Sequence, residues 1–504
     1  MRRNPYFLLL LPFFFVFHGY VENFRYIQPL DCLPLLGLYI LATLLWFFIF
    51  RFYLRDNMKA ALITCFIMAF YFFFGVFHDF VRRHDIFLHR YSISLGLFLL
   101  MAGALFIWLR KKQPSPRIGQ FLNYLLLIYV VVDSIALVRN STTQSDAQKT
   151  MISALPNDTF RPCDSCARPD VYLLLFDEYT SSRTLKDTYH YDNSGLDSFL
   201  LRENFHIQTG SRSNYFFTPF SMASIFNMSY LPHLKDPQNL SSNDYIEALD
   251  PGRPSAVITF FTKQGYTIIN NSSFDLPGHP SSLDQPFIPV KTRLITNRTL
   301  FHYLVRDIGW WFVTQFTDAQ PLAESDAAMT YKNNKIALER TQEESKTSAG
   351  SPRFVYMHVF MPHSPYLFDS LGHAKKIETV VEKEQQPDLV DLAGYLDYIP
   401  YTNTQAKKLI STIKKNTMGK AVIIFLSDHA YRYHPFIGHN ERAFFDNQNA
   451  IYYPDKDYHL LYDSISMVNE FRVVFNKLFR QDLSLLKDSL VYLRDGPGTE
   501  GNKK

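Results

Sequence analysis

The chain has 504 residues, 19% of them charged and 16% aromatic, with a formal net charge of +4. That length exceeds an ordinary single domain, and so small a charge excess leaves nucleic acid without an electrostatic footprint to bind. The aromatic excess is membrane-like but uneven, because residues 1–139 hold nearly all the long apolar runs.

Five spans are predicted, at residues 5–21, 31–50, 58–80, 91–109 and 119–138. Each is near the roughly 20 residues needed to cross a hydrocarbon core. Residues 7–17 also have the length of a signal-peptide core, but no small-residue cleavage site follows, so the stretch is kept as a span. Lysine and arginine set the orientation. Arg2, Arg3, Arg51, Arg55, Lys59, Arg110, Lys111, Lys112 and Arg117 fall on one side; Arg25, Arg82, Arg83, Arg90 and Arg139 fall on the other. Nine against five makes the first side cytoplasmic. An odd number of spans then puts everything after residue 139 outside, so the expected location is a cell membrane crossed several times. In a two-membrane envelope this is the inner one, with the C-terminal part on the periplasmic side. Cys163 and Cys166 lie just outside the membrane. The same spacing serves redox pairs and half zinc knuckles, but no second pair completes a zinc site, and in an oxidising compartment it reads as a short disulfide.

Residues 140–169 are polar, hold three prolines and read as a linker. A soluble domain is expected over residues 170–485 and a tail over 486–504. Strands are predicted at 171–177, 205–209, 266–270, 354–360, 422–426 and 450–453. Helices are predicted at 194–202, 219–228, 254–264, 327–344, 404–415 and 466–478. Alternation of this kind predicts an α/β domain, a mostly parallel sheet between helix layers, beside the N-terminal helical bundle. Residues 300–316 are apolar and aromatic, with Arg306, Asp307, Trp310 and Trp311. They are too polar to span, and read equally as an interfacial helix or an ordinary buried one.

Chemistry-bearing residues gather at the predicted strand ends. The run 422–426 stops at Ser427-Asp428-His429. Open α/β sheets place ligands at this carboxyl edge, and adjacent carboxylate and imidazole suit a divalent cation; the plainer reading is a solvated turn. Asp177-Glu178 ends another buried run, where two carboxylates are costly unless a cation meets them. Thr218-Pro219 reads as a helix start, with Thr218 as a mere cap. A hydroxyl at that position also sits where anions bind, and a metal that lowers its pKa makes it a nucleophile. His363 lies in the turn Pro362-His363-Ser364-Pro365, whereas His358 lies inside a strand and reads as structural. His439 follows Gly438 in a polar stretch and suits a phosphate or a second cation.

In this order the residues resemble the alkaline phosphatase/sulfatase superfamily, and within it the membrane-anchored phosphoethanolamine and phosphoglycerol transferases that modify lipid A or make lipoteichoic acid. The resemblance covers residues 170 to about 480. The stretches SNYFFTPFSMASIFNMSYL and SISMVNEFRVVFN are similar to a sulfatase-like branch of the same superfamily. The resemblance implies Glu178, Thr218, Asp428 and His429 as ligands of one divalent metal, zinc first and manganese second. It implies Thr218 as the nucleophile that carries a covalent phospho-intermediate, and His363 and His439 as substrate-phosphate histidines. Ala430 stands where the family usually has glycine, and the resemblance leaves the role of Asp177 open. It also implies the partners: a phospholipid donor, a glycolipid or glycan acceptor and the membrane lipid itself, with no nucleic acid. Sulfatases make formylglycine from Cys or Ser in a C/S-x-P-x-R signature. The site here reads Thr218-Pro219-Phe220-Ser221-Met222, which argues against sulfate esters. The function expected is therefore transfer of a phospho-substituent. A hydrolase on the same site and a non-enzymatic membrane scaffold are the alternatives.

Overall fold

The computed structural model describes residues 4–24, 27, 29–83, 91–143, 160–161, 163, 165–232, 234, 236–249, 255–283, 292–296, 298–304, 321–346, 350–376, 380 and 391–495. The chain divides into two compact units, Met1–Gln148 with Phe287–Leu322, and Lys149–Pro286 with Ala323–Lys504.

The first unit is helical: Phe7–Glu22, Pro29–Leu54, Asn57–Arg83, Tyr91–Lys111 and Pro116–Thr143. The last four are long and apolar enough to cross a membrane, and the first, at 16 residues, is shorter. Four to five apolar helices thus stand where five spans were expected. Leu41, Phe48, Phe52, Leu99, Leu100 and Phe121 face outward, an apolar surface suited to lipid rather than water. Inside, Phe15 stacks on Phe72 at 4.3 Å, and His18 Nδ1 lies 3.1 Å from Asp133 Oδ1. Two glycines allow close approach, one to backbone and one to a side chain. Gly75 N–H donates to the Arg298 carbonyl at 2.8 Å, and a Cβ on Gly19 would come within 2.7 Å of Ile295. The short helix Leu300–Leu304 sets Tyr303 against Phe74 and His78. The rest of the predicted interfacial segment, with Arg306, Asp307, Trp310 and Trp311, lies outside the described residues.

The second unit is built on six strands: β1 (Val171–Phe176), β2 (His206–Ile207), β3 (Thr267–Asn271), β4 (Arg353–Val359), β5 (Val422–Leu426) and β6 (Asn449–Tyr452). Their order is β2-β6-β5-β1-β4-β3. β1 pairs in parallel with β4 and β5, and β3 with β4. β6 runs antiparallel to β5 and β2, so the sheet is mixed. Every residue of β1, β4 and β5 is buried, as a strand covered on both faces requires. One face carries Tyr395, Ile399, Leu409 and Ile413 of the helix Leu392–Asn416. The other carries the helices Thr218–Asn227, Ala256–Lys263 and Met467–Phe479. Leu392–Asn416 begins well before the predicted residue 404 and runs through Pro400, with Asp391 Oδ1 capping Gly394 N–H at 2.8 Å. Cys163 and Cys166 are disulfide-bonded.

Because β1 lies between two parallel partners, three strands end at one edge. Phe176 is level with Val359, and Leu175 with Leu426. The residues just past these ends, Asp177, Phe360 and Ser427-Asp428-His429, therefore share one rim.

Candidate active site

Asp177 continues β1 by one step, its N–H donating to the Val359 carbonyl at 3.0 Å. Glu178 then turns into the left-handed region at φ 60°, a conformation costly for a side chain with a Cβ and concentrated at functional sites. The turn sends two successive carboxylates different ways. Glu178 N–H donates to Asp428 Oδ1 at 3.1 Å, while its carboxylate faces Arg432 Nε at 3.4 Å and His363 Nε2 at 3.9 Å. Asp177 instead faces the β5 end.

Asp177, Asp428 and His429 are buried and offer one ligand atom each, all within 4.8 Å of one another. His429 Nδ1 donates to the Ala430 carbonyl at 2.9 Å, which leaves a lone pair on Nε2. That lone pair faces Asp428 Oδ2 at 3.3 Å and Asp177 Oδ1 at 3.9 Å. Both of these carboxylate oxygens are buried without a hydrogen-bond partner. Three electron-rich atoms pointed at one another in a dry site repel unless a cation lies between them. The donor set fits a divalent metal, with Asp177, Asp428 and His429 as its holders.

Thr218 completes the group. Its helix starts at Thr218 itself, with Phe217 in the capping position and no side-chain cap. The hydroxyl is therefore not spent on capping; Oγ1 sits 3.3 Å from His429 Nε2. Ser221, one turn on, donates to the Asp428 carbonyl at 2.6 Å and ties this helix to the β5 end. The helix N-terminus brings partial positive charge to the same place.

Asp177 is held by a buried relay. His358 Nε2 lies 3.1 Å from Asp177 Oδ2, and His358 Nδ1 lies 2.8 Å from the Tyr356 hydroxyl. With the Tyr356 hydroxyl donating, the histidine donates from Nε2 to the carboxylate and leaves Oδ1 toward His429. Burial alone would raise the Asp177 pKa, but the charge of His363 and then the His358 hydrogen bond hold it below the usual carboxylate range. Burial opposes charge on His363 as well, yet the Glu178 and Asp177 carboxylates lift its pKa above the ordinary histidine value. His363 is 27% exposed, so a proton there is within reach of a substrate.

The structure places Thr218, Asp428 and His429 of the expected set together, with Asp177 beside them. Glu178 stands one layer away with His363 and Arg432. His439 is exposed, its ring 6.1 Å from Phe436, and does not join the group at the strand ends. His358 escaped sequence reasoning because a histidine inside a buried run looks structural; only the β1–β4 register sets it beside Asp177. Asp177 itself was visible as one of two adjacent carboxylates, but not which of them turned inward.

The family model described as Sulfatase matches residues 213–464, half of the chain. This chain belongs to the sulfatase family. The matched region includes Thr218, His363, Asp428 and His429. No curated protein matches the chain. Among solved structures, the C-terminal periplasmic domain of EcEptC from Escherichia coli in complex with Zn is similar at 11% identity and a TM-score of 0.39, covering 67% of this chain and 90% of that one. The C-terminal periplasmic domain of the phosphoethanolamine transferase EptC from Campylobacter jejuni is similar at 14% identity and a TM-score of 0.37, covering 69% and 100%. The lipoteichoic acid synthase LtaP from Listeria monocytogenes is similar at 12% identity and a TM-score of 0.36, covering 70% and 80%.

Proposed function

We propose that this protein is a membrane-anchored, metal-dependent transferase. It moves a phospho-substituent, phosphoethanolamine or phosphoglycerol, from a phospholipid to an envelope glycolipid or glycan through a phosphothreonine at Thr218. The observation that carries this reading is the Thr218 hydroxyl, uncommitted to capping and 3.3 Å from His429 Nε2, at a site where two buried carboxylate oxygens have no partner. Asp177, Asp428 and His429 would hold the cation, zinc or manganese, which as a Lewis acid lowers the pKa of the Thr218 hydroxyl and offsets charge on the phosphoryl oxygens.

The protein's own residues supply the rest. Thr218 Oγ1, its proton given up to solvent water, attacks phosphorus; the Oγ1–P bond forms and the bond to the diacylglycerol oxygen breaks. Protonated His363 gives its Nε2 proton to that oxygen, and diacylglycerol leaves into the bilayer. Neutral His363 then takes the proton of the acceptor hydroxyl, whose oxygen attacks phosphorus and releases Thr218. Positioning and charge stabilisation are most of what phosphoryl transfer asks of a protein. A Thr nucleophile cannot be oxidised to formylglycine, which favours phosphoryl over sulfuryl chemistry.

The test is a trapping experiment. Protein is incubated with phospholipid labelled in its headgroup phosphate, and the Thr218 peptide is analysed by mass spectrometry. Labelled phosphothreonine is expected in the wild type and none in Thr218→Ala, which should be inactive. Full turnover by Thr218→Ala ends this mechanism. Release of the label only when a glycolipid acceptor is added marks a transferase; release to water alone marks a hydrolase.

A further inference from the structure

The transfer just described gives no task to Arg432, yet the site is arranged around it. Arg432 lies three residues past His429. Its backbone N–H and its Nε both reach Glu178 Oε1, at 3.2 and 3.4 Å. Its guanidinium carbon lies 5.1 Å from the centre of the Phe217 ring, and Phe217 immediately precedes Thr218. The side chain is 29% exposed, against 6% for Glu178. Its positive charge acts on both His363 and Tyr245.

An arginine present only to neutralise Glu178 would turn its forked end to the carboxylate, where two parallel N–H bonds are available. Arg432 offers Glu178 the Nε edge alone. Among the described residues nothing engages Nη1 or Nη2. The fork is thus held from behind by Glu178, supported by the Phe217 ring and left open beside the nucleophile. Two N–H groups in that fork match two oxygens of a tetrahedral anion.

We propose that Arg432 is a substrate-anion residue. Its Nη groups hold non-bridging oxygens of the phospho-substituent as it passes to and from Thr218, and Glu178 is the positioning residue that fixes the fork. This rests on the phosphoryl-transfer reading of the site and deepens it: the bound class is a phosphate ester with two free oxygens. It also gives Glu178 a task other than metal ligation.

The test separates binding from turnover. Full-length Thr218→Ala protein, in detergent and loaded with zinc, is titrated calorimetrically with inorganic phosphate, alone and with Arg432→Gln or Arg432→Lys added. Arg432→Gln is expected to weaken phosphate binding roughly ten- to hundredfold, the loss of a charge-assisted pair. Arg432→Lys should recover only part of it, because a point charge lacks the fork. Zinc content should be the same in all three. The lysine variant keeps a charge beside Glu178, so the comparison survives if the glutamine variant fails to fold. Undiminished affinity in Arg432→Gln, full recovery by lysine, or no phosphate binding by the parent each overturns the proposal. Wild-type protein that never labels Thr218 counts against the transfer mechanism instead, whatever the phosphate titrations give.

Discussion

His429 donates its Nδ1 proton to a backbone carbonyl, and from that one bond the site's chemistry follows. The free Nε2 lone pair faces two carboxylates and one hydroxyl, an arrangement without a stable charge balance until a cation arrives. Asp177 can serve only if its second oxygen is fixed, and His358 fixes it. His358→Gln is therefore expected to lower zinc affinity roughly ten- to hundredfold, read by competition with a chromogenic chelator; unchanged affinity would remove the relay from the account. A second prediction at this scale concerns Glu470. It is fully buried, accepts from Asn449 at 2.9 Å with one oxygen and leaves the other without a partner. Burial raises its pKa from 4.5 to about 7. Below pH 4.5 the carboxyl is protonated folded or unfolded and costs nothing. Between 4.5 and about 7 the folded state keeps a proton that the unfolded chain releases, so stability falls as pH rises through this window and levels off above it. Glu470→Gln should flatten that loss, worth roughly 3 kcal/mol, in denaturation midpoints taken from pH 5 to 8; an unchanged slope contradicts the assignment.

At the scale of elements, the site is a consequence of one strand having two parallel neighbours. β1 holds Asp177 at the same rim as the β5 end only while its own side chains fill both faces of the sheet. Leu174 is wholly buried between the layers, and Leu174→Ala should lower stability by about 2–5 kcal/mol, measured by thermal or denaturant unfolding; a loss under 1 kcal/mol would mean a looser core. This level was the most legible in the sequence. Unbroken apolar runs ending in charged residues marked β1 and β5, and all six strands fall where alternation put them. The helix Leu392–Asn416 runs well beyond the predicted 404–415, because packing of Tyr395 and Ile399 against the sheet carries it through Pro400. The reversal of β6 left no mark, since an isolated strand carries no signal of its direction. The split between Asp177 and Glu178 was equally hidden, because it depends on a left-handed backbone at residue 178.

For the whole molecule, the apolar helices and the strand-edge site make separate demands. The helical unit exposes aliphatic and aromatic side chains throughout its length, so the protein should stay in the membrane after alkaline carbonate washing and leave it only with detergent. Appearance in the carbonate supernatant would contradict the reading of these helices as spans. If the strand-edge site takes a cation as proposed, that cation adds to the stability of the α/β unit. Stripping metal with a chelator should lower the unfolding temperature of that unit, and adding zinc or manganese should restore it, since a ligand that binds only the folded state stabilises by mass action.

The central claim is that Asp177, Asp428 and His429 close on one divalent ion beside Thr218, and metal analysis of purified protein tests it most directly. The wild type, reloaded and freed of excess zinc, should hold about one equivalent by mass spectrometry of the metal; that ratio follows from the one three-ligand group found among the described residues. Asp177→Asn and Asp428→Asn should lose it, while Glu178→Gln, whose carboxylate faces Arg432, should retain it. Full metal content in both aspartate variants, or loss of metal in Glu178→Gln alone, would contradict the account.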